Sequence, residues 1–228
     1  MTTFVLVHGA WCTGDIWAEV AATLRTNGHR VEVAELPSTG PRPDGLGDLA
    51  ADAAHLRDLL DDLDDVNDVV LVAHSYGGFP VTEVADHPAI RHTVYLAAFW
   101  PKATESLLQI RSAHPEAWLD VRDDGTIAVT DDEAIARAVL AADLSPEEFA
   151  PLRKGLQLQS AASFAAGATP PARDHGTTYV VCLQDRAIHL ADQRRMSAAA
   201  DRVVDLDAAH MAMVSEPGAV GSVLLDLV

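Results

Sequence analysis

An unbroken apolar run at residues 69–73, Val-Val-Leu-Val-Ala, is the feature that most restricts the fold of this chain. A strand with one face in water alternates apolar and polar side chains, whereas this run has no polar position. It therefore predicts a central strand of a parallel sheet that helices cover on both faces. Comparable strand-like runs occupy residues 4–8, 30–35, 93–98, 178–183 and 202–206.

Helical patterns lie between most of these runs, at residues 16–26, 77–85, 190–199 and 217–227. Strands and helices that alternate with short loops are typical of a doubly wound α/β fold with a mainly parallel sheet. The chain has 228 residues, of which 49% are hydrophobic, so it is long enough to bury one large core.

The alternation stops between residues 101 and 175. This stretch holds helical patterns, one of them opened by a capping box that begins at Ser145. It also holds a predicted hairpin, residues 118–121 and 126–130, with its turn at Asp124-Gly125. We therefore predict a core formed by residues 1–100 and 176–228. A helical cap, residues 101–175, is predicted between the fourth and fifth strands.

Acidic residues are concentrated between positions 48 and 68, where apolar side chains recur at helical spacing. We interpret the aspartates between them as the solvated face of a helix, which favours solubility. The formal net charge of −18 argues against binding to nucleic acid or to an anionic membrane. The aspartates are Asp52, Asp58, Asp61, Asp62 and Asp65.

The cysteines and the motifs of the chain argue against a disulfide-rich protein, a metalloprotein and a nucleotide-binding protein. Cys12 and Cys182 are too far apart in sequence to suggest a disulfide framework, so we expect two free thiols. The residues before the first strand have no basic leader, and we expect a cytoplasmic location. No spacing typical of metal ligands or of a nucleotide-binding loop occurs, so we predict neither a metal nor a cofactor.

The central strand leads through His74 into Ser75, and Tyr76, Gly77 and a further glycine follow. Small residues two positions before and after a serine let strand and helix approach closely, which lifts the hydroxyl above the sheet. Ala73 takes the place of the glycine usually found first in this motif and keeps the small size. The pattern predicts that Ser75 is a nucleophile.

A serine nucleophile needs a general base, and a third, acidic residue orients that base. After a strand–serine–helix turn of this kind, the acid comes next along the chain and the histidine base comes last. His210 is placed best, because it lies between the last strand and the last helix. His74 should point away from the nucleophile, and we expect His8 to order the neighbouring loop. Most of the other histidines are interpreted as surface residues: His29, His55, His87, His92, His114, His175 and His189.

Three aspartates compete for the role of the acid. Asp185 ends the fifth strand, at the carboxyl edge where open sheets place their chemistry. Asp205 lies within the sixth strand, and Asp207 lies only three residues before His210, which is an awkward approach to the imidazole. We predict that Asp185 is the acid.

The tetrahedral intermediate of acyl transfer needs two backbone donors. One is predicted to be the amide of Tyr76, directly after the nucleophile. The other is predicted to be the amide of Ala10, in the loop that follows the first strand.

These segments together resemble the α/β-hydrolases that include plant methylesterases and hydroxynitrile lyases. The resemblance implies the α/β-hydrolase fold and places the family's nucleophile, acid and base on Ser75, Asp185 and His210. It places the family's oxyanion donors on Ala10 and Tyr76. The similar segments are residues 4–11, 72–78, 95–99, 182–188, 193–196 and 209–211, with 143–148 in the predicted cap.

The resemblance also bears on the reaction. The similar lyases carry a threonine where Gly9 stands, to bind the cyanohydrin, and a lysine where Met211 stands, to stabilise departing cyanide. Because both are missing here, we predict hydrolysis of an ester or thioester through an acyl-enzyme on Ser75. A lyase or cyclase of small-molecule biosynthesis that uses the same triad, and a ligand-sensing homologue, remain alternatives.

Aromatic side chains supply candidates for an apolar pocket under the predicted cap. The expected partner is a small or mid-sized hydrophobic ester-like molecule, and a homodimer is left open. The pocket candidates are Trp11, Trp100, Trp118 and Met211, with Tyr76, Phe149 and Phe164 as further aromatic candidates.

Overall fold

The computed structural model describes residues 1–63, 68–111 and 118–228. Its strands are β1 (Thr3–Val7), β2 (Arg30–Ala34), β3 (Thr39–Gly40), β4 (Val69–Ser75), β5 (Ile90–Ala98), β6 (Leu119–Val121), β7 (Thr126–Val129), β8 (Leu158–Ser160), β9 (Gly176–Cys182) and β10 (Arg202–Leu206). Its α-helices are α1 (Ala18–Thr26), α2 (Leu49–Asp61), α3 (Gly78–Glu83), α4 (Leu107–Arg111), α5 (Glu133–Leu140), α6 (Pro146–Gly155), α7 (Ala161–Ala165), α8 (Leu190–Ser197), α9 (Ala212–Ser215) and α10 (Pro217–Leu225). A short 3-10 helix, Gly14–Trp17, precedes α1.

The central sheet joins six of these strands in the order β10-β9-β5-β4-β1-β2. Every neighbouring pair is parallel. All seven residues of β4 are buried, as its apolar run predicts for a strand covered on both faces. The predicted doubly wound α/β fold is confirmed. All the carboxyl ends of these strands therefore lie at one edge of the sheet, where the candidate site is found.

The stretch predicted as a helical cap is not entirely helical. Strands β6 and β7 form the expected antiparallel hairpin, but β7 also pairs with β8, and β8 pairs with β3. The prediction missed this four-stranded sheet because strands of two and three residues have too few positions to reveal a period. Since β3 lies before residue 101, the small sheet joins the inserted stretch to the predicted core.

The acidic helix forms as α2, and its amino end is capped by Asp48, whose side chain accepts a hydrogen bond from the amide of Ala51 at 3.0 Å. One assignment on its solvated face is wrong, because Asp52 is fully buried. The interpretation of His87 as a surface residue is also wrong, since its ring is buried and bonded to Asp61. Asp65 and His114 lie outside the described residues.

The expectation of two free thiols can also be compared with the described residues. Cys12 and Cys182 are both buried, free thiols, as expected. In the described ranges, no helix has the length and apolar character required to cross a bilayer.

Candidate active site

Ser75 lies on a sharp turn between β4 and α3. Its backbone φ of 52° is in the left-handed region, which is unusual for a residue other than glycine. A Cβ atom at Gly77 would lie 2.6 Å from the carbonyl oxygen of His8, and one at Gly78 would overlap the carbonyl oxygen of Phe99. The glycines are therefore required by the close approach of the helix to neighbouring strand ends, which is the physical basis of the sequence motif.

The structure brings the three predicted triad residues together. The Nε2 atom of His210 lies 3.0 Å from the hydroxyl oxygen of Ser75, and its Nδ1 atom lies 2.8 Å from a carboxylate oxygen of Asp185. Because the carboxylate can only accept, Nδ1 carries the proton and Nε2 is free to accept the serine proton. The exposed fractions of Ser75, His210 and Asp185 are only 7%, 3% and 7%.

Four donors surround the carboxylate of Asp185. The oxygen that does not contact His210 accepts from the backbone amides of Ala187 and Ile188, at 2.7 and 2.9 Å. The other oxygen accepts from Nδ1 of His210 and, at 3.0 Å, from the side-chain amide of Gln193. These four donors fix the orientation of the carboxylate.

Gln193 is a residue to which the sequence analysis assigned no role. It is fully buried in α8, and it also accepts from the amide of Cys182 at 3.0 Å and donates to the carbonyl of Ile188 at 2.9 Å. One side chain thus ties both ends of the loop that carries Asp185. One signal in the sequence could have found Gln193. It is an amide side chain on the buried face of a predicted helix, and a buried amide needs hydrogen-bond partners inside the protein.

The competing aspartates point elsewhere. Asp205 is exposed and makes two hydrogen bonds to Arg194, at 2.6 and 2.7 Å. Asp207 is also exposed and accepts from the side chain of Gln184 at 2.6 Å. Of the three candidates, Asp185 is the one that contacts His210.

Among the described residues, neither of the two amides predicted as oxyanion donors makes a hydrogen bond to a backbone carbonyl. The loop that carries Ala10 is bent sharply, with a φ of 63° at Trp11. Gly9 brings this loop against the nucleophile, because a Cβ atom at position 9 would lie 2.7 Å from the Cβ of Ser75.

His8 holds the same loop, as expected. Its Nδ1 atom donates to the carbonyl of Gly9 at 2.8 Å, and its Nε2 atom accepts from the amide of Leu36 at 3.0 Å. Burial lowers the pKa of His8 to about 4, so the neutral ring that this bonding pattern requires is the form present at neutral pH.

The ring of His74 lies beside that of His210, the candidate base. Its ring centroid is 4.5 Å from that of His210, and its Nε2 atom donates to the backbone carbonyl of His210 at 3.1 Å. Burial, followed by the nearby His210, holds the pKa of His74 well below its usual value. The neutral ring of His74 places no positive charge beside the ring of His210.

The inserted stretch binds the His210 loop on both sides of the base. The carboxylate of Asp143 accepts from the amide of Ala209 at 2.8 Å, and the carbonyl of Leu140 accepts from the amide of Met211 at 3.0 Å. Met211 is itself buried. Residues predicted as cap therefore position the loop that carries the candidate base.

Two of the predicted pocket tryptophans lie together. The ring of Trp11 packs edge-on against Trp118 at 5.2 Å and against Phe164 at 5.7 Å. The guanidinium of Arg111 lies 5.1 Å from the centre of the Trp118 ring. Burial lowers the pKa of Arg111 to about 10, which leaves it charged at neutral pH, and Asp185 opposes that shift.

Trp100 lies in a different environment. Its ring stacks on Tyr95 at 4.3 Å, and the guanidinium of Arg173 lies 5.4 Å from its centre. The structure therefore does not bring Trp100 into the Trp11–Trp118 cluster. Phe149 is fully buried in α6.

The described ranges contain no group of three or more His, Cys, Asp or Glu side chains placed to hold a metal ion.

A parallel sheet that carries a serine, a histidine and an aspartate at its carboxyl edge defines the architecture of an α/β hydrolase. The sequence profile of the Alpha/beta hydrolase family matches residues 4–222, and the chain belongs to this family. The suspected resemblance and the expectation that the chain is an enzyme are thereby confirmed.

Two relatives are similar in sequence to this chain, one over nearly its whole length and one over about half of it. Methylesterase 9 of Arabidopsis thaliana is 30% identical in an alignment that covers 95% of this chain and 94% of that protein. The carbendazim hydrolyzing esterase of Nocardioides sp. (strain SG-4G) is 43% identical over 114 residues. That alignment spans about half of each protein, 48% of this chain and 47% of the relative.

Solved structures support the fold. Polyneuridine aldehyde esterase superposes with a TM-score of 0.84 at 22% identity, covering 100% of this chain and 99% of that chain. A pyrethroid hydrolase from Sphingobium faniae JZ-2 superposes with a TM-score of 0.85 at 22% identity, covering 99% and 96%.

Proposed function

We propose that the protein is a serine hydrolase that cleaves a carboxylic ester or thioester through an acyl-enzyme on Ser75. The observation that carries this proposal is the chain of contacts from the Ser75 hydroxyl through His210 to Asp185, at 3.0 and 2.8 Å, on a strained turn. Relatives named as esterases support an ester substrate.

The reaction follows from these positions. Nε2 of His210 accepts the proton of Ser75 as the serine oxygen bonds to the acyl carbon, and Asp185 stabilises the imidazolium that forms. The amides of Ala10 and Tyr76 bind the resulting oxyanion. The imidazolium then gives its proton to the departing alcohol or thiol. Water, with His210 again as the base, releases the acid from Ser75.

A hydrophobic acyl group of small or moderate size fits the surroundings best. Only 7% of Ser75 is exposed, and Trp11, which directly follows Ala10, packs against Trp118 and Phe164. Aromatic walls with few polar groups are typical of sites for apolar small molecules.

We expect measurable hydrolysis of p-nitrophenyl esters and negligible release of cyanide from mandelonitrile. Cyanide departs as an anion, and the thioether of Met211 cannot stabilise it as an ammonium group would. A β-branched hydroxyl residue is also not accommodated at position 9, where a Cβ would lie 2.7 Å from that of Ser75. Ester hydrolysis needs neither group.

Both rates are measured side by side, with the Ser75→Ala protein as the blank. Cyanide release that depends on Ser75 and exceeds ester turnover would overturn the hydrolase proposal and would make Arg111 the candidate cation. Absence of both activities would favour a biosynthetic lyase or cyclase, or a ligand-sensing role.

Replacing Trp118 by alanine should change the preference between bulky and small esters more than it changes the rate at which a small phosphonate labels Ser75. The reason is that Trp118 packs on Trp11, which directly follows Ala10, one of the predicted oxyanion donors. Trp100→Ala is the matched comparison. Because Trp100 stacks on Tyr95 outside the cluster, its loss should leave the preference unchanged. Equal losses in preference and labelling for Trp118→Ala would indicate a purely structural tryptophan.

A further inference from the structure

Five fully buried polar residues form one hydrogen-bonded group beside the candidate site. We call it the Asp52 network, and it joins α2, the loop after β2, the nucleophile turn and the inserted stretch. The reaction proposed above uses the backbone amide of Tyr76 but no side chain of this network. The members are Ser38, Asp52, Tyr76, Gln159 and Ser163.

Asp52 is the centre of the network. One carboxylate oxygen accepts from the amide of Ser38 at 2.8 Å. The other accepts from the hydroxyl of Ser38 at 2.6 Å and from the phenol of Tyr76 at 2.7 Å. No cation pairs with this carboxylate among the described residues, so these three donors must offset the cost of its burial.

Gln159 extends the network into the inserted stretch. Its side-chain amide nitrogen donates to the hydroxyls of Ser38 and Ser163, at 2.9 and 2.7 Å. Its carbonyl oxygen accepts from the hydroxyl of Thr39 at 2.7 Å and from the backbone amide of Trp11 at 3.4 Å. The network therefore contacts both loops that carry the predicted oxyanion donors.

We propose that Asp52 and Gln159 are positioning residues for the oxyanion hole. Asp52 accepts a hydrogen bond from the phenol of Tyr76 and so fixes Tyr76, whose own backbone amide is one of the two predicted donors. Gln159 fixes the amide of Trp11, directly after the second donor residue, Ala10. This inference rests on the proposed hydrolase function.

A structural role alone does not explain the network. Replacing a buried ion pair by packed apolar residues is often neutral or stabilising. A buried carboxylate without a cation lacks even the attraction between the charges of such a pair, so it is weak evidence for stability. Its hydrogen bonds do restrict the backbone to one arrangement, and donors held in place before the reaction stabilise an oxyanion without reorganisation.

Asp52→Asn is the first test, because the amide keeps the size of the side chain while its nitrogen cannot accept from a donor. Loss of an oxyanion donor costs about 10²–10³ in kcat, and a displaced donor should cost less. We expect kcat for ester hydrolysis to fall roughly 10- to 100-fold, with KM within about threefold. Affinity for a trifluoromethyl ketone, whose serine adduct carries the oxyanion, should fall by the same factor as kcat/KM. Asp58→Asn, an exposed aspartate on the same helix, is the matched control and should behave as wild type.

Tyr76→Phe provides a second variant that keeps the ring and leaves Asp52 two of its donors. If the phenol and the carboxylate act as one unit, the double variant should lose little more than the larger single variant. Simple addition of the two losses would contradict the proposal. So would a loss confined to KM, or unchanged kcat and ketone affinity in Asp52→Asn.

Hydrogen exchange separates this inference from the proposed function. In Asp52→Asn, exchange should accelerate in peptides covering residues 8–13 and 72–79, and Asp58→Asn should leave both unchanged. If the wild-type protein neither turns over esters nor reacts with a phosphonate, the hydrolase proposal fails and the oxyanion role fails with it. The exchange data then still decide whether Asp52 holds the two segments. Unchanged exchange in both segments would overturn the inference even in an active esterase.

Discussion

Ser75→Ala is expected to lower kcat for ester hydrolysis by at least about 10³-fold, because the knockout of a single triad nucleophile commonly costs more than that. The variant removes the atom that attacks the acyl carbon and leaves the two candidate oxyanion donors in place. Alanine also fits the turn, since serine already occupies the left-handed conformation there with a Cβ atom. The loss should therefore appear in turnover and not in thermal stability.

A serine-directed phosphonate gives an independent measurement. Mass spectrometry of the labelled protein should find one added group, on Ser75, and no label in Ser75→Ala. Ser222→Ala, an exposed serine in α10, is the control and should keep full turnover and labelling. Labelling at another residue, or full turnover in Ser75→Ala, would remove Ser75 from the proposed mechanism.

The sequence was informative where a short segment determines its own geometry. The apolar run of β4 predicted a strand buried on both faces, and the small residues around Ser75, between a strand and a helix, predicted a sharp turn with close neighbours. Once that strand is central and parallel, the loops that follow the other strands converge at the same edge. His210 and Asp185 could therefore be predicted from their places after strands, without any knowledge of distances.

Residues whose environment depends on distant segments could not be predicted in this way. Asp52 looked like one more aspartate on a solvated helix, because its partners Ser38 and Tyr76 lie 14 and 24 positions away. The pairing of β3 with β8 joins residues about 120 positions apart, across a predicted domain boundary. Trp100 was grouped with Trp118 by residue type alone, and its contact with Tyr95 has no signature in the sequence.

Asp185→Asn should lower kcat on the order of 10⁴-fold, while Asp207→Asn should stay within about tenfold of wild type. Asp207 is exposed and bonded to Gln184, so its carboxylate does not orient the imidazole. Both variants are isosteric, and both replace a carboxylate in a loop that follows a strand at the carboxyl edge of the sheet. A comparison of their kcat values therefore separates the effect of losing the carboxylate that contacts His210 from the general effect of removing a carboxylate near the site. The reverse ranking would move the acid to the loop after β10.

The size of the expected loss follows from the donors around Asp185. An asparagine nitrogen cannot accept, so in one orientation it would face the amides of Ala187 and Ile188, whose backbone cannot turn away. The nitrogen is therefore expected on the side of His210, where it can donate to Nδ1 once the imidazole changes tautomer and where Gln193 is the one donor left facing it. Nε2 would then carry the proton and could not accept one from Ser75, although the 3.0 Å contact between the two atoms would remain. The variant should thus keep the arrangement of the triad and lose turnover at neutral pH, while the contact between the asparagine nitrogen and the amide of Gln193 lowers thermal stability. A full-rate Asp185→Asn protein would mean that His210 is held in its reactive tautomer by another group.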